Sequence, residues 1–136
     1  MKPRKGSHSI FSVRLHFVFV THYRKKVLTE KMLLELKKMI NQVATSMDCE
    51  LMEFNGEPDH VHILIDFHPK NSISAVAGCL KSATARMLKK KFGEEIEKVY
   101  WGQKSFWSGS YYVASSGGAP IDKLKEYIKN QEGGLP

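Results

Sequence analysis

Residues 58–67 read PDHVHILIDF, a stretch that sets two histidines one residue apart inside an otherwise apolar run. Side chains alternate across a strand, so His60, His62, Leu64 and Asp66 share one side, and Val61, Ile63, Ile65 and Phe67 share the other. The second set is what a hydrophobic core needs. The first leaves two imidazoles about 6–7 Å apart at Cα, from a rise of roughly 3.3 Å per residue. They are either solvated polar positions on an open face or two side chains whose tips converge on one ion. Asp66 shares their side but lies further along the strand, outside an ion's shell. Asp59, in the preceding turn, is placed to orient a histidine from behind.

Working outward, residues 10–23 alternate in the same way. Phe11, Val13, Leu15, Phe17 and Phe19 fall on one face, and Arg14 and His16 on the other, which reads as a strand with one polar side. Thr29 suits an N-cap, and after it Met32, Leu33, Leu36, Met39, Ile40, Val43 and Met47 recur at helical spacing. Residues 49–55 form a second strand, and residues 56–59 turn the chain into the histidine strand. A second helix is expected over residues 72–91, buried through Ile73, Val76, Leu80, Ala83 and Met87 and stopped by Gly93. An aromatic segment with Tyr100, Trp101, Phe106 and Trp107 leads to a short strand over residues 110–115, broken by Gly117 and Gly118. Pro120 fits the first turn of a last helix, residues 120–132. The order βαββαβα predicts an α+β, ferredoxin-like (RRM-like) fold: a βαββαβ antiparallel sheet with an added C-terminal helix. One sheet face is buried and the other, carrying the histidines, stays available.

At 136 residues the chain reads as a single domain, 1–136, with residues 1–8 a flexible basic arm. No apolar run approaches the length that crosses a bilayer, and the basic start is not followed by the apolar segment of a signal peptide. Cys49 and Cys79 form no metal or redox spacing, so reduced thiols in a cytoplasm are expected. Net charge is +7 with a pI near 9.4. Basic residues cluster in residues 24–26, including Arg24 and Lys25, in Lys81 and Arg86, and in residues 89–91. With Arg14 and His16 on the polar strand face, these are candidates for phosphate contact; each cluster taken alone also fits a solvated face.

The last helix carries the second half of the pattern. On a wheel of about 100° per residue, Ile121, Leu124 and Ile128 form its apolar stripe. Gln131 falls within that stripe and Tyr127 at its margin, one turn apart and therefore neighbours. An amide among apolar neighbours needs a partner. One reading is a tyrosine rimming the core beside a glutamine at a frayed helix end. The other joins them to His60 and His62: two imidazoles and an amide oxygen make a three-ligand site with open positions, suited to a divalent ion. Such an ion favours attack on phosphorus, and a tyrosine one turn from a ligand stands where a nucleophile belongs. A phenol with an ordinary pKa near 10 depends on orientation and the neighbouring ion for its activation.

The triplet His60-Val61-His62, together with YIKNQ at residues 127–131, resembles the HUH endonucleases, named for histidine, an apolar residue and histidine. More narrowly, the chain is similar to the single-tyrosine transposases of the insertion sequence 200/605 group, over nearly its whole length. SVRLHFVFVTHYRKKVL resembles that group's first strand and basic exit, LKSATARMLKKKF its second helix, and FWSGSYYVASSGG the approach to the tyrosine helix. The resemblance implies Tyr127 as nucleophile and His60, His62 and Gln131 as ligands of magnesium or manganese. It also implies a homodimer with composite active sites, cutting and rejoining single-stranded DNA, at the hairpin ends of a mobile element, through a 5′-phosphotyrosine. The adjacent pair Tyr111 and Tyr112 is read as packing or base-stacking residues, because neighbouring strand residues point to opposite faces. Two other readings stay open: a domesticated or replication-type nickase using the same site, and a non-catalytic single-stranded RNA-binding module built on the same sheet.

Overall fold

The computed structural model describes residues 3–6, 10–102, 105–115 and 121–130, the first five of the last segment by backbone alone. Its centre is a four-stranded antiparallel sheet of β3 (Arg14–Val20), β4 (Glu50–Glu57), β5 (His60–Asp66) and β6 (Tyr112–Ser115), in the order β4-β5-β3-β6. Two long helices, α1 (Glu30–Ser46) and α2 (Ile73–Lys91), pack against it. This is the expected βαββαβ ferredoxin-like arrangement, with α4 (Ile121–Asn130) added at the end.

Alternation explains the layers. Phe17, Phe19, Val61, Ile63 and Ile65 are all fully buried, and they join Met32, Leu36 and Ile40 of α1 and Val76, Leu80 and Leu88 of α2 in one core. Each such side chain contributes about 1.5–3 kcal/mol by leaving water. Thr29 caps α1 by accepting a hydrogen bond from Met32 N at 3.2 Å, and Ser72 caps α2 through Ala75 N at 3.0 Å. Gly56 on β4 lets α1 approach closely, since a Cβ there would collide with the Leu33 side chain.

Four local expectations change. The strand read over residues 10–23 is divided: β2 (Ile10–Phe11) pairs with β1 (Arg4–Lys5), and β3 begins at Arg14. The described part of the N-terminal arm is therefore folded back, with the Arg4 guanidinium 5.3 Å from the centre of the Phe11 ring and 3.3 Å from Asp66 Oδ1. In α2, Ile73 is exposed at its first turn and Ala83 is half-buried, while Ala77, Thr84 and Leu88 complete the buried stripe. α2 stops at Lys91 as expected, but Gly93 opens a further helix that was not expected, α3 (Gly93–Tyr100), which buries Ile96 and Tyr100, one turn apart. Tyr100 donates its hydroxyl to His22 O at 2.7 Å, and burial pushes its phenol up to about 12. The expected strand over residues 110–115 is present as Tyr112–Ser115. Gly117, Gly118, Pro120 and Gln131 lie outside the described residues.

Candidate active site

β5 lies between β4 and β3, so the histidine backbones are hydrogen-bonded into the sheet on both sides. His60 and His62 are half-buried on the face opposite the core, their ring centroids 5.0 Å apart and their planes at 79°. Each ring has one nitrogen engaged. His60 donates from Nδ1 to Asp59 Oδ1 at 2.7 Å, and His62 Nδ1 lies 3.1 Å from His16 Nε2 on β3. When the His60 ring is neutral this leaves Nε2 with its lone pair, because a carboxylate only accepts.

Asp59 is itself fixed. Its other oxygen receives Arg24 Nε at 3.0 Å. Burial raises the Asp59 carboxyl, but the hydrogen bonds from His60 and Arg24 outweigh it and hold the group below the usual carboxylate range. The backbone that delivers Arg24 is unusual: Tyr23 and Arg24 take left-handed φ values of 58° and 54°. Such conformations cost a non-glycine residue about 1–2 kcal/mol each. The corner is held by Thr21 N donating to Asp59 O at 3.0 Å and Arg24 N donating to Thr21 O at 2.8 Å. Strain at the exit of β3 thus puts the guanidinium on the carboxylate that orients His60.

Burial first, and then the positive charge of His60 and His16, pushes His62 down to about 4. Burial likewise lowers His16, against the opposing pull of Glu53. His62 is neutral at neutral pH, the form an imidazole needs as a metal ligand. Neutral nitrogen donors side by side on a rigid strand fit a divalent ion. Among the described residues no three His, Cys, Asp or Glu side chains are grouped to hold one, so a third ligand must be of another type or lie elsewhere. Gln131 would meet that need but lies outside the described residues.

Tyr127 is half-buried on the same sheet face. Its hydroxyl is 3.0 Å from the Ser110 hydroxyl and its ring centroid 5.6 Å from that of Tyr112. Tyr112 opposes Val18, which opposes His62, so tyrosine edge and histidine strand share a rung about 10 Å apart, two strand spacings. Burial raises the Tyr127 phenol, offset in part by the Ser110 hydrogen bond. Tyr111 points the other way, toward Phe17 at 6.2 Å and Phe19 at 6.4 Å, as strand alternation requires.

The basic candidates separate. Arg14 and His16 lie on β3 at the histidine face, Arg14 opposite Asp66 and His16 against His62. Arg24 and exposed Lys25 flank Asp59 at the corner. Lys81 is half-buried and donates to the carbonyls of Ser108 at 2.7 Å and Ser110 at 3.3 Å, and burial lowers its pKa. Arg86 is exposed on α2 with Met39, Ala83, Lys90 and Lys91 around it, on the helical side of the molecule. Ser110 was not anticipated as a neighbour of Tyr127, because nothing local to either residue encodes that contact.

Known proteins agree with this architecture. A family model described as Transposase IS200 like matches residues 9–131. The transposase for insertion sequence element IS200 of Salmonella typhimurium is 27% identical over 125 residues, spanning 92% of this chain and 80% of that protein. The ISDra2 transposase TnpA of Deinococcus radiodurans is 25% identical over 131 residues, spanning 96% and 92%. A crystal structure of a Deinococcus radiodurans R1 transposase superposes with a TM-score of 0.84 at 29% identity, over 94% of this chain and 97% of its own. A REP-associated tyrosine transposase, solved bound to a REP hairpin, shares the fold at a TM-score of 0.55 and 13% identity, over 92% and 67%. The match runs from just ahead of β2 through the whole of α4, and the chain belongs to the IS200-like transposase family.

Proposed function

We propose that this transposase cleaves and rejoins single-stranded DNA at the ends of an insertion sequence through a covalent 5′-phosphotyrosine on Tyr127, and that His60, His62 and Gln131 hold a magnesium or manganese ion. The observation that carries this reading is the pinned histidine pair, each ring tied at Nδ1 by a neighbour, on the face where Tyr127 packs. An ion bound there supplies Lewis-acid polarisation of a phosphate oxygen. Tyr127 Oη attacks phosphorus and gives up its phenolic proton to solvent, its bond to the phosphate forms as the phosphorus–3′-oxygen bond breaks, and the leaving oxygen takes up a proton from solvent as a 3′-hydroxyl. The reverse attack, by a 3′-hydroxyl on the phosphotyrosine, rejoins the strand and releases Tyr127. The ester bond energy is conserved throughout, so no nucleotide hydrolysis is required.

Arg14, Arg24 and Lys25 lie at or beside the histidine face and would neutralise phosphates of the bound strand. Lys81 would act from behind, holding the 108–110 segment on which Tyr127 rests. A distant fold neighbour solved with a hairpin adds weight to hairpin ends as the substrate. Family membership favours this reading over an RNA-binding module or a replication nickase. No helix among the described residues is long and apolar enough to cross a membrane.

The assembly we propose is a homodimer with composite sites, the histidines of one subunit serving the tyrosine of the other. Co-expression of Tyr127→Phe with His60→Ala tests it: exchange in trans leaves one site whole and returns about half of wild-type cleavage, whereas cis sites leave the heterodimer inactive. The chemistry itself is tested by incubating the protein with labelled single-stranded DNA bearing the element's ends and manganese, then running a denaturing gel. A slowly migrating protein–DNA adduct that requires the metal is expected. Its absence with every end sequence would overturn the reading.

A further inference from the structure

β3 and β5 run antiparallel with His16 opposite Leu64 and Val18 opposite His62. That register places His16 one diagonal step from His62 on the same face. The rings lie nearly parallel, 19° between planes and 5.2 Å between centroids, and His16 Nε2 comes to 3.1 Å from His62 Nδ1. A single proton occupies that hydrogen bond, and its owner decides what His62 can do. With the proton on His62 Nδ1, His62 Nε2 keeps its lone pair for an ion. With the proton on His16 Nε2, the neutral His62 ring carries its own proton on Nε2 and has no donor to offer. At His60 the same choice is settled by the Asp59 carboxylate, which can only accept.

Resting on the metal-dependent reading above, we propose that His16 is a positioning residue: its Nε2 accepts the Nδ1 proton of His62 and holds that ring in the tautomer that can ligate a divalent ion. The two histidines of the triplet then have matched supports from different elements, a carboxylate from the β4–β5 turn and an imidazole from β3. His16 is not itself a ligand in this arrangement, since the lone pair it would need is spent on His62. A neutral imidazole without such a partner favours its proton on Nε2, so loss of His16 acts on ion binding rather than on the fold. Ligand-orienting partners of this kind are worth about 10–100-fold in metal affinity.

Two measurements decide the matter. In the metal-free, uniformly ¹⁵N-labelled wild-type protein, long-range ¹H–¹⁵N correlation spectra at pH 7.5 read the tautomers directly. The expected pattern is His62 protonated on Nδ1 and bare on Nε2; a proton on His62 Nε2 overturns the proposal. Manganese affinity without DNA, by electron paramagnetic resonance, is then compared for His16→Phe, which keeps a stacked ring without nitrogen, and His16→Gln, which keeps an acceptor without a ring. Phe should bind manganese about tenfold more weakly and Gln within about twofold of wild type. Undiminished binding by Phe, or a Gln variant that falls as far as Phe, overturns the hydrogen-bonding role. Should a variant fail to fold, the wild-type spectra still decide. If the wild-type protein binds no manganese at all, the metal reading fails, while the tautomer result still judges His16 separately.

Discussion

The two histidines and Tyr127 are held by different kinds of contact. β5 is paired on both edges, its histidines are tied to Asp59 and His16, and Asp59 is tied in turn to Arg24 and to the Thr21 backbone. Tyr127 on α4 is described by a hydroxyl contact to Ser110 and a ring contact to Tyr112. At one end strand pairing and the Asp59 and His16 contacts fix the histidines; at the other, the contacts described for Tyr127 are to side chains of the neighbouring Ser110 and Tyr112. An ion site gains from rigidity, because its ligands must be held in one geometry.

That contrast can be broken by mutation. The largest effect should come at the tyrosine: Tyr127→Phe should lower strand cleavage by roughly 10³-fold or more, as loss of a nucleophile does. DNA affinity and melting temperature should stay near wild type. Next is the rigid end, where Asp59→Asn should weaken manganese binding about 10–100-fold. It should also lower the melting temperature, because Arg24 loses its ion pair. A rigid end that tolerated this change would show that the sheet alone positions His60.

Smaller effects sharpen the picture. Affinity for single-stranded DNA should fall linearly on logarithmic axes of binding constant against salt, and Lys25→Ala should reduce the slope by about 0.7 if that exposed side chain meets one phosphate. Ser110→Ala should change cleavage only about two- to tenfold, the worth of one hydrogen bond of about 0.5–1.5 kcal/mol. Its effect on manganese affinity should be nil. Acid should expose the rigid end alone. His62 binds its proton near 4 when folded and near 6.5 when unfolded, so the unfolded chain holds more protons between those values. Stability should therefore fall as pH drops from about 6.5 toward 4, seen as a lower urea midpoint at pH 5 than at pH 7. The fall should be smaller in His62→Gln.

The legible parts of the fold were those whose signal is local. Alternation in PDHVHILIDF assigned both faces of β5, the Thr29 boundary of α1 followed from capping chemistry, and the span of α2 followed from spacing. α3 was missed because Gly93 reads as a helix stop, and only Ile96 and Tyr100 mark the turns beyond it as buried. Ile73 misled for a related reason: an apolar residue in the first turn lies where the helix has already left the core. The supports of the site were harder to read. His16 touches His62 and Lys81 reaches the Ser108 and Ser110 carbonyls through strand register and helix placement, which no short window contains. Asp59 was legible because it is His60's sequence neighbour.

On the proposed mechanism one phenol in this chain becomes covalently joined to DNA. The most direct test is to trap the adduct with manganese and a single-stranded end, digest protein and DNA, and locate the nucleotide-bearing peptide by mass spectrometry. A nucleotide phosphate is expected on Tyr127 and on no other tyrosine, and none when manganese is withheld. A nucleotide on Tyr112, the aromatic neighbour on the same face, or on any other residue would contradict it.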